Sequence, residues 1–171
     1  MQKFPFVLDI RRLGRDEWLA LRDIRLTALR ESPDSFLSTY NKERNFDDSK
    51  WRKEFDRGDW YIGSRDGRLA SLLGITREPK TPLDQCYLEY VWVSPEYRRT
   101  GVASFMLNAV LDQLRAAGVR TAFLWVLDGN DVAVHLYKRL GFVSTDLRQP
   151  LPGAPDRCEE RMEMRLSSRT R

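Results

Sequence analysis

The chain contains, at residues 94–111, the stretch SPEYRRTGVASFMLNAVL, which joins a strand-like run to a helix-like run. Arg98, Arg99 and Gly101 lie at the junction, and the small residues 103–104 follow. The first turn of an α-helix has backbone N–H groups without intrahelical partners, and the helix dipole adds partial positive charge there. The junction therefore predicts a site for an anion such as a phosphate. An ordinary strand-to-helix turn with solvated arginines is the alternative interpretation.

The elements on either side of this junction predict a parallel unit. Apolar residues recur every three or four positions from Val102 to Leu114, which indicates a helix packed on a sheet, and Gly118 ends it. Residues 86–93, CYLEYVWV, are typical of a strand. Residues 121–127, TAFLWVL, form a nearly continuous apolar run, as in strands buried on both faces. Strand, helix and strand together predict a βαβ unit with a right-handed crossover.

The remainder of the chain adds antiparallel strands and further helices. An Asp66-Gly67 pair between two apolar runs predicts a hairpin over residues 59–78. The other predicted elements, in chain order, are a strand at 4–13, helices at 14–32, 47–58 and 131–140, a strand at 142–145, a loop at 148–157 and a strand at 161–166. The pattern predicts one α/β (α+β) domain over residues 1–171. It would have a mixed central sheet of about six to seven strands, one parallel βαβ crossover, about four helices and a frayed tail at 167–171.

Composition excludes several classes of protein. The chain has 171 residues, 42% of them hydrophobic, and no apolar run approaches the roughly 20 residues that a membrane span needs. Without a signal-like N-terminus, we expect a cytoplasmic protein with no membrane partner. Cys86 and Cys158 are expected to be free thiols, and the single His135 argues against a metal site. A net charge of +4 suits a phosphate-bearing small ligand, so we expect no nucleic-acid partner.

Two motifs in this order resemble the GNAT (Gcn5-related) N-acetyltransferases, in particular small bacterial members, which bind acetyl-coenzyme A. The first motif is Val-x-Pro followed by Arg-x-x-Gly-x-Ala, which here runs from Val93 to Ala103. The second is an asparagine, an alanine three positions later, a tyrosine and Gly-Phe. It is represented here by Asn130, Ala133, Tyr137 and Gly141-Phe142. The resemblance implies the GNAT fold, an acyltransferase activity and acetyl-CoA as co-substrate, with no metal.

The resemblance also implies which residues hold the cofactor. Backbone groups of Val91, Trp92 and Val93 would pair with the pantetheine arm like an added strand, and Asn130 would contact the cofactor from the other side. The pyrophosphate would be lined by a continuous segment, namely Arg98, Arg99, Thr100, Gly101, Val102, Ala103 and Ser104.

Acetyl transfer to an amine needs a base, an oxyanion donor and an acid for the thiolate. Tyr137 matches the family's general acid, with a core tyrosine as the alternative, and the Val91 amide is the expected oxyanion donor. Glu89 is the candidate base, directly or through water, with a strand glutamate paired to an arginine as the alternative. Relatives that acetylate protein N-termini often carry a glutamate where this chain has Trp125. We therefore do not expect a ribosomal-protein-type role.

The acceptor is predicted only by class, as a primary amine of a small molecule or peptide acetylated directly in a ternary complex. Arg22 and Arg25, three apart on the first helix, are candidates for reading an acidic group on it, with solvated arginines as the alternative. A non-catalytic acyl-CoA-binding or regulatory module on the same fold is the competing function. The resemblance also leaves a homodimer open.

Overall fold

A computed structural model describes residues 7–151 and 153–166. Within these residues there are seven strands, four longer helices and one helix of a single turn. The strands are β1 Asp9–Arg12, β2 Gly58–Arg65, β3 Arg68–Thr76, β4 Gln85–Val93, β5 Thr121–Leu127, β6 Val143–Leu151 and β7 Ala154–Arg165. The helices are α1 Trp18–Glu31, α2 Tyr40–Glu43, α3 Asp48–Phe55, α4 Val102–Ala116 and α5 Asp131–Leu140. Short 3-10 turns cover Pro33–Ser35 and Pro95–Tyr97.

Across the described residues the strands form one mixed sheet in the order β1-β2-β3-β4-β5-β7-β6. β4 and β5 are parallel, in register from Gln85 with Thr121 to Tyr87 with Phe123, and α4 connects them. The antiparallel pairs include β1 with β2, β2 with β3, β5 with β7 and β6 with β7. The predicted α/β architecture, with about seven strands, one parallel crossover and about four helices, is confirmed.

The predicted hairpin is β2 and β3. Its two turn residues, Asp66 and Gly67, have φ values of 51° and 74°. Two-residue turns with positive φ at both positions match the twist of antiparallel strands. The Asp-Gly pair therefore predicted the turn, and Arg65 lies opposite Arg68 across it.

The chain divides into two compact units. Within the described residues, the first comprises residues 7–76 and Tyr90–Leu107, and the second Arg77–Glu89, 108–151 and 153–166. The first unit has a core cluster rich in aromatic side chains, including Trp18, Trp51, Trp60 and Trp92. In the second unit the apolar residues of α4 and β5, such as Val110, Leu111 and Leu124, are at most 1% exposed. The assignment of residues 1–171 to one domain stays a prediction.

The predicted loop over residues 148–157 is wrong, since most of it is strand. β6 continues to Leu151 and β7 begins at Ala154, with Pro150 opposite Cys158. Prolines at 150, 152 and 155 suggested a loop because proline cannot donate to a ladder. β6 is the last strand in the sheet order, and an edge strand tolerates a missing N–H on its open side.

Other predicted boundaries differ by a few residues. The described part of the first strand starts at Asp9, and its predicted residues 4–6 lie outside the described residues, as does the tail at 167–171. α1 starts at Trp18, after a turn in which the Glu17 carboxylate accepts the Gly14 backbone N–H at 2.7 Å. The one-turn helix α2 was not predicted.

Candidate active site

The loop between β4 and α4 has an unusual backbone. Arg99 has φ 61° and Gly101 has φ 90°, with Thr100 between them. The Thr100 hydroxyl donates to the Tyr97 carbonyl at 2.6 Å, which closes the loop on itself. Positive φ is costly for a residue with a Cβ, so Arg99 is held in this conformation by its surroundings. Left-handed residues in such a loop can turn successive N–H groups to one side, as in anion-binding nests.

α4 begins directly after this loop. The Phe105 N–H donates to the Gly101 carbonyl at 3.0 Å, so the amides of Val102 and Ala103 precede the first bond of the helix. Val102 is buried, whereas Ala103 and Ser104 are half-buried. The predicted anion site therefore has the expected backbone: a left-handed turn leading into the N-terminus of a 15-residue helix.

Arg98 stabilises this junction through hydrogen bonds of its side chain. Its guanidinium donates to the Val93 carbonyl at 3.1 Å and to the Ser32 hydroxyl. The same hydroxyl accepts the Trp92 indole N–H at 3.1 Å. Ser32 is buried at the end of α1, so these bonds connect α1, β4 and the loop. Arg99, like Arg98, is exposed, and its contact with the cofactor stays a prediction.

The second half of β4 contains a local irregularity at Tyr90, where φ is 55°. The Tyr90 ring contacts Trp60 edge-on, with centroids 5.0 Å apart. Trp92 belongs to the same aromatic cluster, whereas Val93 packs with Leu8, Ala70 and Val102. The neighbouring residues Trp92 and Val93 thus pack in different clusters, and Val91 is half-buried.

In the second unit, Asn130 is the N-cap of α5. Its side-chain oxygen accepts the Ala133 backbone N–H at 3.2 Å. This contact gives a physical reason for an asparagine three positions before Ala133. Its predicted contact with the cofactor stays a prediction.

Tyr137 lies on α5 and is 7% exposed. Its ring meets Phe142 edge-on at 5.8 Å, and its carbonyl accepts the Phe142 N–H at 3.0 Å. Burial raises the pKa of the phenol to about 12, because the charged form would lose hydration. Tyr137 is therefore both packed and protonated at neutral pH. Glu89 is half-buried in the same unit, and its role as a base stays a prediction.

The two arginines of α1 differ sharply. Arg22 is 34% exposed in its side chain and lies beside Asp23, with 3.1 Å between Nε and Oδ1. Arg25 is 4% exposed and makes a two-bond ion pair with Glu43, at 3.0 and 2.9 Å. The alternative of solvated arginines is therefore wrong for Arg25. Sequence reasoning missed Glu43, since its 18-residue separation from Arg25 and the unpredicted α2 gave no signal.

Of the described residues, none forms a group of three or more His, Cys, Asp or Glu side chains that could hold a metal ion. Nor is any described helix both long and apolar enough to cross a membrane.

The sequence model of the acetyltransferase (GNAT) family matches residues 18–142. The chain belongs to the GNAT acetyltransferase family. The enzyme class predicted from the two motifs, a GNAT-type acyltransferase, is confirmed at this level.

Among relatives of known name, the chain is 30% identical over 138 residues to the mycothiol acetyltransferase of Streptomyces coelicolor, covering 78% of this chain. It spans only 42% of that relative's length. It is also 30% identical over 114 residues to the ribosomal protein bS18 alanine N-acetyltransferase of Escherichia coli, covering 65% of this chain and 74% of the relative.

Solved structures show the same fold. The ribosomal-protein-S18-alanine N-acetyltransferase of Escherichia coli has a TM-score of 0.68 at 21% identity, with 94% of this chain and 95% of that chain covered. The Salmonella typhimurium protein yncA, solved with its cofactor acetyl-CoA, has a TM-score of 0.73 at 15% identity, with 96% and 97% covered. At these identities the likeness concerns the fold.

Proposed function

We propose that this GNAT family member transfers the acetyl group of acetyl-CoA to a primary amine, directly and within a ternary complex. The observation that carries the proposal is the loop before α4. Its left-handed Arg99 and Gly101 lead into a helix N-terminus. That arrangement supports the binding of a pyrophosphate through backbone N–H groups.

The residues present fit the cofactor. The amides of residues 99–104 would hold the pyrophosphate, with the exposed Arg99 adding charge and Arg98 fixing the loop. Backbone groups of Val91–Val93 would pair with the pantetheine arm, and Asn130 would contact it from α5. Acetyl-CoA supplies the activated acyl group as a thioester.

Three residues of this chain would share the proton and charge transfers. Glu89 takes a proton from the protonated amine, directly or through one water, so that the nitrogen can attack the carbonyl carbon. The Val91 N–H donates to the carbonyl oxygen as negative charge develops there. As the carbon–sulfur bond breaks, the Tyr137 hydroxyl would donate its proton to the departing sulfur, and the tyrosinate would take the second proton of the attacking nitrogen as the amide forms. The raised pKa of Tyr137 keeps the hydroxyl proton in place at neutral pH.

Release of free thiol from acetyl-CoA in the presence of a panel of primary amines tests this proposal. We expect turnover with at least one amine, and a fall in kcat of roughly 10²-fold or more in Tyr137→Phe, since general acids contribute about that much. Phe keeps the edge contact with Phe142, so the variant should fold. Unchanged turnover in Tyr137→Phe would remove Tyr137 from the mechanism. Binding of acetyl-CoA with no thiol release from any amine would favour the non-catalytic module.

A further inference from the structure

The first unit contains a cavity of about 290 Å³ between α1, α2, α3 and the strands β2 and β4. Four of its wall residues are aromatic, namely Phe46, Trp51, Trp60 and Tyr90. Pockets for small molecules start at about 300 Å³ and are mostly apolar, with a few placed polar groups. By size and lining, this cavity suits a molecule comparable to one amino acid rather than a long peptide.

Arg25 lies in the wall of this cavity with one nitrogen unsatisfied. Nε and Nη2 donate to Glu43, but Nη1 is buried and has no hydrogen-bond partner. The guanidinium carbon lies 4.4 Å from the ring centroids of both Phe36 and Tyr90, which restrict its position. A buried donor of a charged group without an acceptor is costly, and such donors in native proteins are usually satisfied. Nη1 is itself covered, so a carboxylate in the cavity would supply the missing acceptor once the guanidinium turns Nη1 towards it.

The charge of the lining favours an anion. Four cationic and two acidic side chains face the cavity, an excess of two positive charges: Arg25, Lys42, Lys50 and Arg57 against Glu43 and Glu54. Burial works to raise the pKa of Glu54, but hydrogen bonds from Lys50 and Arg57 outweigh it, so the pKa lies below the ordinary value. Glu54 is thus ionised at neutral pH. Lys42 is exposed at the rim and, among the described residues, makes no ion pair.

The cavity adjoins the strand proposed to carry the oxyanion donor. Tyr90, whose ring forms one wall, directly precedes Val91 on β4. The cavity therefore borders β4 at the residue next to Val91, in the same unit of the chain.

We propose that the acceptor is a small amine that carries a carboxylate, bound with its carboxylate at Arg25 and its apolar part against the aromatic walls. Lys42 contributes charge at the rim. This inference rests on the proposed function, because it names the acceptor class of the same site. Arg25 is a specificity-determining residue and takes no part in the proton transfers.

Matched pairs of an amino acid and its amide test the inference. The pairs are L-phenylalanine with L-phenylalaninamide and L-leucine with L-leucinamide, which differ in the carboxylate and, through it, in the basicity of the amine. Binding without acetyl-CoA is followed by tryptophan fluorescence, since Trp51 and Trp60 line the cavity. We expect each acid to bind roughly tenfold or more tightly than its amide, as a charge-assisted hydrogen bond would give. The amine of each amide is less basic than the amine of the matching acid. If the enzyme turns over the acid faster, the reactivity of the amine is therefore not the cause.

Arg25→Lys is the decisive variant, because lysine keeps a charge for Glu43 but loses the planar fork. We expect it to raise KM for the acid and to abolish the preference, so that acid and amide have similar kcat/KM. Lys42→Gln, on the exposed rim, should weaken acid binding by a few-fold even if Arg25→Lys folds poorly. Lys53→Gln is the matched control, since Lys53 is exposed on α3 and lies outside the cavity lining.

The outcomes separate this inference from the proposed function. Acid and amide binding alike, or neither binding, would overturn the carboxylate site. Thiol release that is equal for acids and amides would also overturn it while leaving acetyl transfer intact. Acid-selective binding that Arg25→Lys removes, but with no thiol release, would support the site and contradict the proposed activity.

Discussion

Tyr137 is buried, and its position is consistent with both interpretations of the sequence, a general acid and a core tyrosine. It packs against Phe142, as a core tyrosine would, and it stays protonated at neutral pH, as a proton donor must. Packing and catalysis are not exclusive here. A phenol fixed by its neighbours loses little entropy when it meets the departing sulfur.

The pKa of Tyr137 predicts how stability depends on pH. The folded-state pKa of about 12 lies above the unfolded value of 10.0. Its contribution to the unfolding free energy is therefore fully present below pH 10 and is lost as pH rises towards 12. Between these values the wild type should lose up to about 1.4 kcal/mol per pH unit more than Tyr137→Phe. Urea unfolding of both proteins between pH 10 and pH 12 measures this difference in the unfolding free energy. Parallel pH profiles would contradict the burial of this hydroxyl.

The pair Arg22 and Arg25 shows what residue patterns can and cannot predict. Helical spacing placed both arginines on the first helix. The family resemblance, in which that helix borders the acceptor site, suggested that they read an acidic group. Only Arg25 is buried, because its partner Glu43 comes from α2, a one-turn helix whose short sequence carries no periodic signal. Which of two similar arginines faces a cavity depends on tertiary contacts that a local pattern does not contain.

At the scale of elements, the N-cap of α5 allows two roles of Asn130 to be tested separately, its structural role as a cap and its proposed contact with the cofactor. Asn130→Ala removes the cap on the Ala133 N–H and should lower the unfolding free energy by about 1 kcal/mol. Asn130→Asp keeps an N-cap acceptor and should cost little. Chemical denaturation of both variants measures the contribution of the cap to the unfolding free energy. Equal stabilities of the two variants would contradict the capping role. If Asn130 also contacts the cofactor as proposed, Asn130→Asp should still bind acetyl-CoA more weakly than the wild type.

Elements with strong local signals were predicted well. The Asp66-Gly67 turn, the long apolar stripe of α4 and the apolar run of β5 each specify one structure almost by themselves. The two strands β6 and β7 were predicted, but their extension through residues 148–157 was missed, because Pro150 lies in an edge strand, which tolerates a missing N–H. Edge or central position is a property of the sheet order, which residues 148–157 do not encode.

At the scale of the whole molecule, donor and acceptor were unequally predictable. The donor site is a continuous loop and helix start, so its residues 98–104 form one motif and the sequence displays it. The acceptor cavity collects single residues from α1, α2, α3, β2 and β4. The sequences of these separate elements do not predict the cavity. The balance of charged side chains in its lining is determined only when all five elements are folded together.

Acetyl-CoA-dependent stabilisation of Gly101→Ala, compared with wild type, tests the central claim most directly. Gly118→Ala is the control, since Gly118 also has positive φ, 84° against 90°, but lies after the other end of α4. Both variants should lose a similar amount of intrinsic stability from backbone strain. Acetyl-CoA at 100 times Kd should stabilise wild type and Gly118→Ala by about 2.7 kcal/mol. Gly101→Ala should gain clearly less. No stabilisation of the wild type by millimolar acetyl-CoA, or equal gains in all three proteins, would contradict a cofactor site at this loop.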